Sequence, residues 1–161
     1  MPISPFSLKS LFLHPIIVLA DGSEEQMASA TGFVVEHDSK YYLITNWHVV
    51  SGRHRDNGQP LADHGGTPTR IHIWHNHIGA ADIISWVPTT EQLVDANNAP
   101  RWLEHPRFDR RVDAVALPLE VTTGINLMPY NLAENPPILA ADVPDSVNII
   151  GFPYGIAAAG E

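Results

Sequence analysis

Cysteine is absent from this 161-residue chain, and three chemistries go with it: a disulfide framework, a thiolate zinc site and a cysteine nucleophile. Cations are scarce as well. Nine Lys and Arg stand against eighteen Asp and Glu, a formal charge of −9, whereas a phosphate-binding surface is built from clustered cations. The densest basic group, Arg107 with Arg110 and Arg111, is interrupted by Asp109 and followed by Asp113. Nucleic acid is therefore not an expected partner. No apolar run approaches the roughly eighteen residues that a membrane-spanning helix needs, so no membrane partner is expected. Helical periodicity is nearly missing too.

What is present suits a β-rich globular protein. With 44% hydrophobic and 17% charged residues, the chain can bury a core. Leu11 to Ala20 has the length of a signal-peptide core, but His14-Pro15 break it and the only preceding cation is Lys9. The better reading is that Ile16 to Leu19 form the first strand, with a cytoplasmic location favoured over secretion. After the acidic turn Asp21 to Glu25, Ala28 to Val35 reads as a second strand pairing with the first. Gly32 inside it signals a bulge or a close backbone approach. Tyr41 to Val50 reads as a third strand, ending at His48.

Residues 51–69, rich in Gly, Pro and charge, read as a long surface loop, either a flap on the substrate side or an insertion at an edge. Arg70 to Ile78 alternates as a strand does, and Asp82 to Pro88 makes another short one. Thr90 to Val94 suits a brief helical turn in an otherwise irregular stretch. Val112 to Leu119 is a strand headed by Asp113 and closed by Pro118. Asn131 to Asp145 has linker composition, and Ser146 to Gly155 reads as a last strand ending in Gly-Phe-Pro.

His48, at the end of an apolar strand, suits a general base, because imidazole exchanges protons near neutral pH. A histidine in such a run is also often only a hydrogen-bonded core residue. Asp113, at the mouth of another strand, is the best carboxylate to orient it. On local grounds Asp113 could equally cap its strand or pair with Arg110 or Arg111. His75 and His77 would share one face of their strand and could bind a metal such as zinc, with His54 and His64 nearby and His72 on the opposite face. Solvated or packed histidines are the plainer account. The four tryptophans, Trp47, Trp74, Trp86 and Trp102, read as core or rim packing.

Four blocks carry a family resemblance: Ala30-Thr31-Gly32-Phe33-Val34-Val35, Leu43-Ile44-Thr45-Asn46-Trp47-His48-Val49-Val50, Val112-Asp113-Ala114-Val115-Ala116-Leu117 and Val147 to Gly155. In this order they resemble the trypsin-like serine peptidases, in particular the cysteine-free bacterial and phage type related to the HtrA group. The resemblance implies two six-stranded Greek-key β-barrels with a site between them. His48 would be the base and Asp113 its orienting carboxylate, acting on a peptide or protein substrate without metal or organic cofactor.

The nucleophile block of that family, Gly-x-Ser-Gly, does not occur before Glu161, and no serine of the chain stands in such a context. The expectation is the front part of a longer peptidase, inactive alone. Residues 1–130 would form the first barrel. Residues 131–161 would supply a linker and the opening strand of an incomplete second barrel, whose apolar edge near 147–152 could pair with another chain. Two alternatives stand beside it: a non-catalytic barrel that binds a peptide or protein, and a metal-binding protein using His75 and His77.

Overall fold

Alternation along Arg70–Ile78 places Ile71, Ile73 and His75 in the interior, with His72 and Trp74 on the other face. The same two-residue period runs through most of the chain and gives an all-β protein. The computed structural model describes residues 5–63, 65–78, 84–132 and 150–152. Among these, eight strands form one sheet: β1 (Ser10–Val18), β2 (Glu24–Gln26), β3 (Ala30–His37), β4 (Lys40–Thr45), β5 (Arg70–Ile78), β6 (Ile84–Gln92), β7 (Val115–Pro118) and β8 (Tyr130–Asn131). Two one-turn helices, α1 (Pro5–Lys9) and α2 (Trp47–Ser51), and a 3₁₀ turn at Asp109–Arg111 accompany them. No helix among the described residues is long and apolar enough to cross a membrane.

The sheet order is β6-β5-β1-β3-β4-β7, with β2 beside β1 and β8 beside β3. Every pairing is antiparallel except the parallel one between β3 and β8. The two ends of this order are linked by the segment after β6. Arg101 N–H donates to the Leu93 carbonyl at 2.9 Å, and Leu103 and Ala116 exchange two backbone bonds of 2.8 and 3.0 Å. The sheet thereby wraps around a core that includes Leu11, Leu13, Val34, Leu43, Ile71, Ile73, Leu93 and Leu117.

Several elements depart from the sequence reading, each for a local reason. The first strand begins at Ser10 rather than Ile16, and Pro15 lies inside it. The ladder on that side breaks between Leu13↔Ala30 and Ile16↔Gln26, so the missing proline N–H falls where no bond is required. The acidic turn is tighter than expected, and Glu24–Gln26 already pairs with β1. Thr90 to Gln92 continues β6 instead of turning as a helix, because Glu91 is drawn inside. Its Oε1 accepts the amides of Glu120 and Val121 at 2.8 and 2.7 Å.

Gly32 has no bulge in its pairing with Leu11; the close approach is the reason for glycine. A Cβ there would meet the Ile44 carbonyl and the Leu13 and Leu43 Cδ1 atoms at 2.9 Å each. Past the expected boundary at residue 130, Tyr130–Asn131 pairs with β3 and the Leu132 amide donates to the Glu36 carbonyl at 3.1 Å. The linker from 133 onward and most of the expected last strand lie outside the described residues. Ile150 to Phe152, which were read as part of that strand, form none. Instead the Phe152 amide donates to Thr31 Oγ1 at 2.9 Å and its ring lies 5.0 Å from that of Phe12.

Candidate active site

The antiparallel register of β4 and β7 runs from Tyr42↔Pro118 to Thr45↔Val115. The residues just after β4 and just before β7 are therefore neighbours, and these are His48 and Asp113. His48 is not on a strand, as the sequence reading had it. After Thr45 the chain passes through extended Asn46 and enters α2, which buries Trp47, Val50 and Ser51 and turns His48 toward solvent. Gly52, in the left-handed conformation at φ 64°, ends the turn and donates its N–H to the His48 carbonyl at 3.0 Å.

Asp113 holds His48 at two points. Oδ1 accepts the His48 backbone N–H at 3.1 Å, and Oδ2 accepts the ring Nδ1–H at 2.8 Å. A carboxylate can only accept here, so the proton of the neutral ring sits on Nδ1 and Nε2 keeps its lone pair. No bond to Nε2 occurs among the described residues. Burial opposes the charge of Asp113, but the amide and ring bonds from His48, the charge of His48 and the nearby Arg55 more than offset it, so the carboxyl is held below its usual range.

Neither local alternative for Asp113 is what forms. Arg110 lies over the Trp47 ring at 6.0 Å and Arg111 over Phe108 at 5.4 Å, while the Asp113 carboxylate is bonded to His48 Nδ1 at 2.8 Å.

Two supporting residues were not singled out from the sequence. Asn46 Nδ2 donates to the Asp113 carbonyl at 2.9 Å and more loosely to Oδ2 at 3.4 Å, fixing the head of β7 against the start of α2. Glu104 Oε1 accepts from both Trp47 Nε1 at 2.8 Å and Trp102 Nε1 at 3.1 Å, which ties α2 to the segment that links the ends of the sheet. The available signals were an amide two residues before the histidine and a lone acid beside a tryptophan.

A groove of about 560 Å³ opens beside His48, between residues 25–31 on one side and 61–63 on the other. Part of the 51–69 loop is thus on the side of the site, and the loop is internally bonded: Arg53 bridges to Pro60, and the Leu61 amide donates to the Gly52 carbonyl at 2.8 Å. Of the serines near His48, Ser29 lies on the groove wall without a bond to it, and Ser51 Oγ is taken by the Arg53 amide at 3.2 Å.

The histidine group on β5 does not converge. His75 is buried and bonds Thr89 Oγ1 at 3.0 Å, whereas His77 is exposed. His72 instead faces His14 across the β1–β5 ladder. Among the described residues no three His, Asp or Glu side chains are placed to share a metal ion, and His64 lies outside them. No family model matches the chain, and no match was found among curated proteins or solved structures.

Proposed function

We propose that this chain carries the general base and orienting carboxylate of a serine endopeptidase of the trypsin-like kind, His48 and Asp113, and acts on peptide or protein substrates. The observation that carries the reading is the two-point grip of Asp113 on His48, which fixes the ring by Nδ1 and leaves Nε2 unbonded beside a groove. The sheet order supports it. The three successive long strands β1, β3 and β4 lie side by side and the next, β5, pairs on the far side of β1, an order compatible with the Greek key that the reading expects.

In the reaction a serine Oγ attacks the scissile carbonyl carbon as its proton passes to Nε2. Asp113 stabilises the imidazolium that forms. The proton then goes to the departing amine nitrogen as the C–N bond breaks, leaving an acyl-serine. Water attacks the acyl carbon, giving its proton to Nε2, and the serine recovers that proton as the acid product leaves. The cycle moves protons and one acyl group and calls for no metal or organic cofactor.

No serine among the described residues is bonded to His48, and the reading proposes that the attacking serine lies outside the described residues. Phosphonofluoridate labelling tests this. Residues 1–161 alone are expected to stay unlabelled, and a natural polypeptide carrying them is expected to label at a serine in a His48-dependent way. Labelling of residues 1–161 alone, or labelling indifferent to His48→Ala, contradicts it. A natural polypeptide that binds peptides in the groove but never labels would favour a non-catalytic binding module.

A further inference from the structure

Alternation puts His14 of β1 and His72 of β5 on the outer face of the sheet, opposite the face on which Leu13, Ile71 and Ile73 form the core. The β1–β5 register sets the two histidines directly across from one another. Such pairs hold their Cβ atoms about 4.5–5.5 Å apart, a spacing from which two imidazoles can each bring a nitrogen to about 2.0–2.1 Å from one zinc ion. Both side chains are partly exposed, and neither ring has a hydrogen bond among the described residues. Burial and the charge of His72 hold the conjugate acid of His14 below its ordinary value. Its ring is therefore neutral near pH 7, the form that ligates a metal.

The surroundings suit a cation. The next pair along the ladder, Ile16↔Arg70, brings a positive charge to the same face, and Glu24 compensates it at 2.8 Å. Phe12 and Trp74 stand edge-on to the His14 ring, at 4.5 and 6.3 Å between centroids, and limit its rotation. On the β6 side of His72 the register places exposed Thr90, so water reaches the pair from there.

We propose that His14 and His72 together bind a divalent transition-metal ion of the zinc kind and pin β1 to β5. The protein supplies two imidazole nitrogens, and water fills the remaining positions of the tetrahedral shell. Imidazole suits Zn²⁺, Cu²⁺ and Ni²⁺, whereas Mg²⁺ and Ca²⁺ take oxygen ligands. The role is structural. The unfolded chain does not hold the two rings side by side, so the ion binds the folded state more tightly and stabilises it. The site stands apart from His48 and does not depend on the peptidase reading.

The experiment titrates the isotopically labelled chain with zinc chloride and follows the ring nitrogens of its histidines. His14 and His72 are expected to shift together and saturate at one ion per chain, while the urea midpoint rises. Magnesium chloride at the same concentration should move neither ring. His14→Gln and His72→Gln should each weaken zinc binding on the order of 100-fold, at least as much as the loss of an outer-shell partner costs, and remove the rise in urea midpoint. His77→Gln deletes an exposed histidine of the same strand and should leave both readouts unchanged.

No binding, zinc shifts confined to other histidines, an equal response to magnesium, or a double variant of His14→Gln and His72→Gln that binds zinc as tightly as the parent overturns the proposal. If a variant does not fold, the ring shifts of the parent still decide, because they identify the ligands without any substitution.

Discussion

Asp113 accepts hydrogen bonds from both the backbone and the ring of His48, at 3.1 and 2.8 Å. One carboxylate thus fixes where α2 begins and which way its histidine faces. The consequence is chemical as well as geometric, since an acceptor at Nδ1 selects the tautomer whose Nε2 can take a proton.

Asp113→Asn should therefore change the tautomer while keeping the fold. With its oxygen on the His48 amide, the asparagine turns its NH₂ toward Nδ1, which then has to accept, and the ring proton moves to Nε2. Nitrogen-15 shifts of the neutral ring read this directly. The parent is expected to show a protonated-type Nδ1 and the variant a protonated-type Nε2; identical ring shifts in the two would remove Asp113 from this role.

His75 makes the fold sensitive to acid. Burial beside Thr89 pushes its conjugate acid from the usual 6.5 down to about 4. Between these values the unfolded chain takes up a proton that the folded chain refuses. Stability is thus whole above pH 6.5, falls as the pH drops toward 4, and loses on the order of 3 kcal/mol over that window. His14, lowered by burial and by His72, adds to the slope in the same direction. Urea midpoints between pH 7 and 4.5 should drop for the parent and drop less for His75→Gln; equal slopes would contradict the assignment.

Gly32→Ala should be costly although alanine suits a strand. The added methyl meets a backbone oxygen and two core methyl groups at 2.9 Å, and the oxygen belongs to the paired strand β4. A loss of about 2–3 kcal/mol in urea unfolding is expected. A neutral effect would mean that β3 and β4 can separate freely.

Glu104 is expected to act through α2. Removing its carboxylate in Glu104→Ala strands the buried Trp47 indole N–H and the partly buried one of Trp102, at about 1–3 kcal/mol for a buried donor left unpaired. Glu104→Gln retains an acceptor oxygen and should recover much of this. If both variants unfold at the same urea concentration as the parent, the clamp is not holding the helix.

Much of this arrangement was legible from residue order. The period of two gave Arg70–Ile78 with the bounds that β5 has, and Pro118 marked the end of β7 because it supplies no ladder N–H. The register that brings Asp113 to His48 was visible only through the order of the four blocks. Locally the aspartate had arginines as equally good partners.

The α2 turn was hidden because Trp47, Val49 and Val50 are all buried, and a short run buried on nearly all sides has no period to read. Asn46 and Glu104 escaped notice for a different reason. Their importance lies in what they bond across 67 and 57 residues of chain, which spacing cannot show. The share of residues 133–149 in the fold lies outside the described structure.

The measurement that tests the central claim most directly is peptide-bond hydrolysis by the natural polypeptide that carries residues 1–161, comparing the parent with His48→Ala and Asp113→Asn on casein. The account predicts hydrolysis by the parent and a loss on the order of 10⁴-fold in rate for each substitution. Hydrolysis by His48→Ala at the parent's rate, or a parent that cleaves no peptide bond, would contradict it.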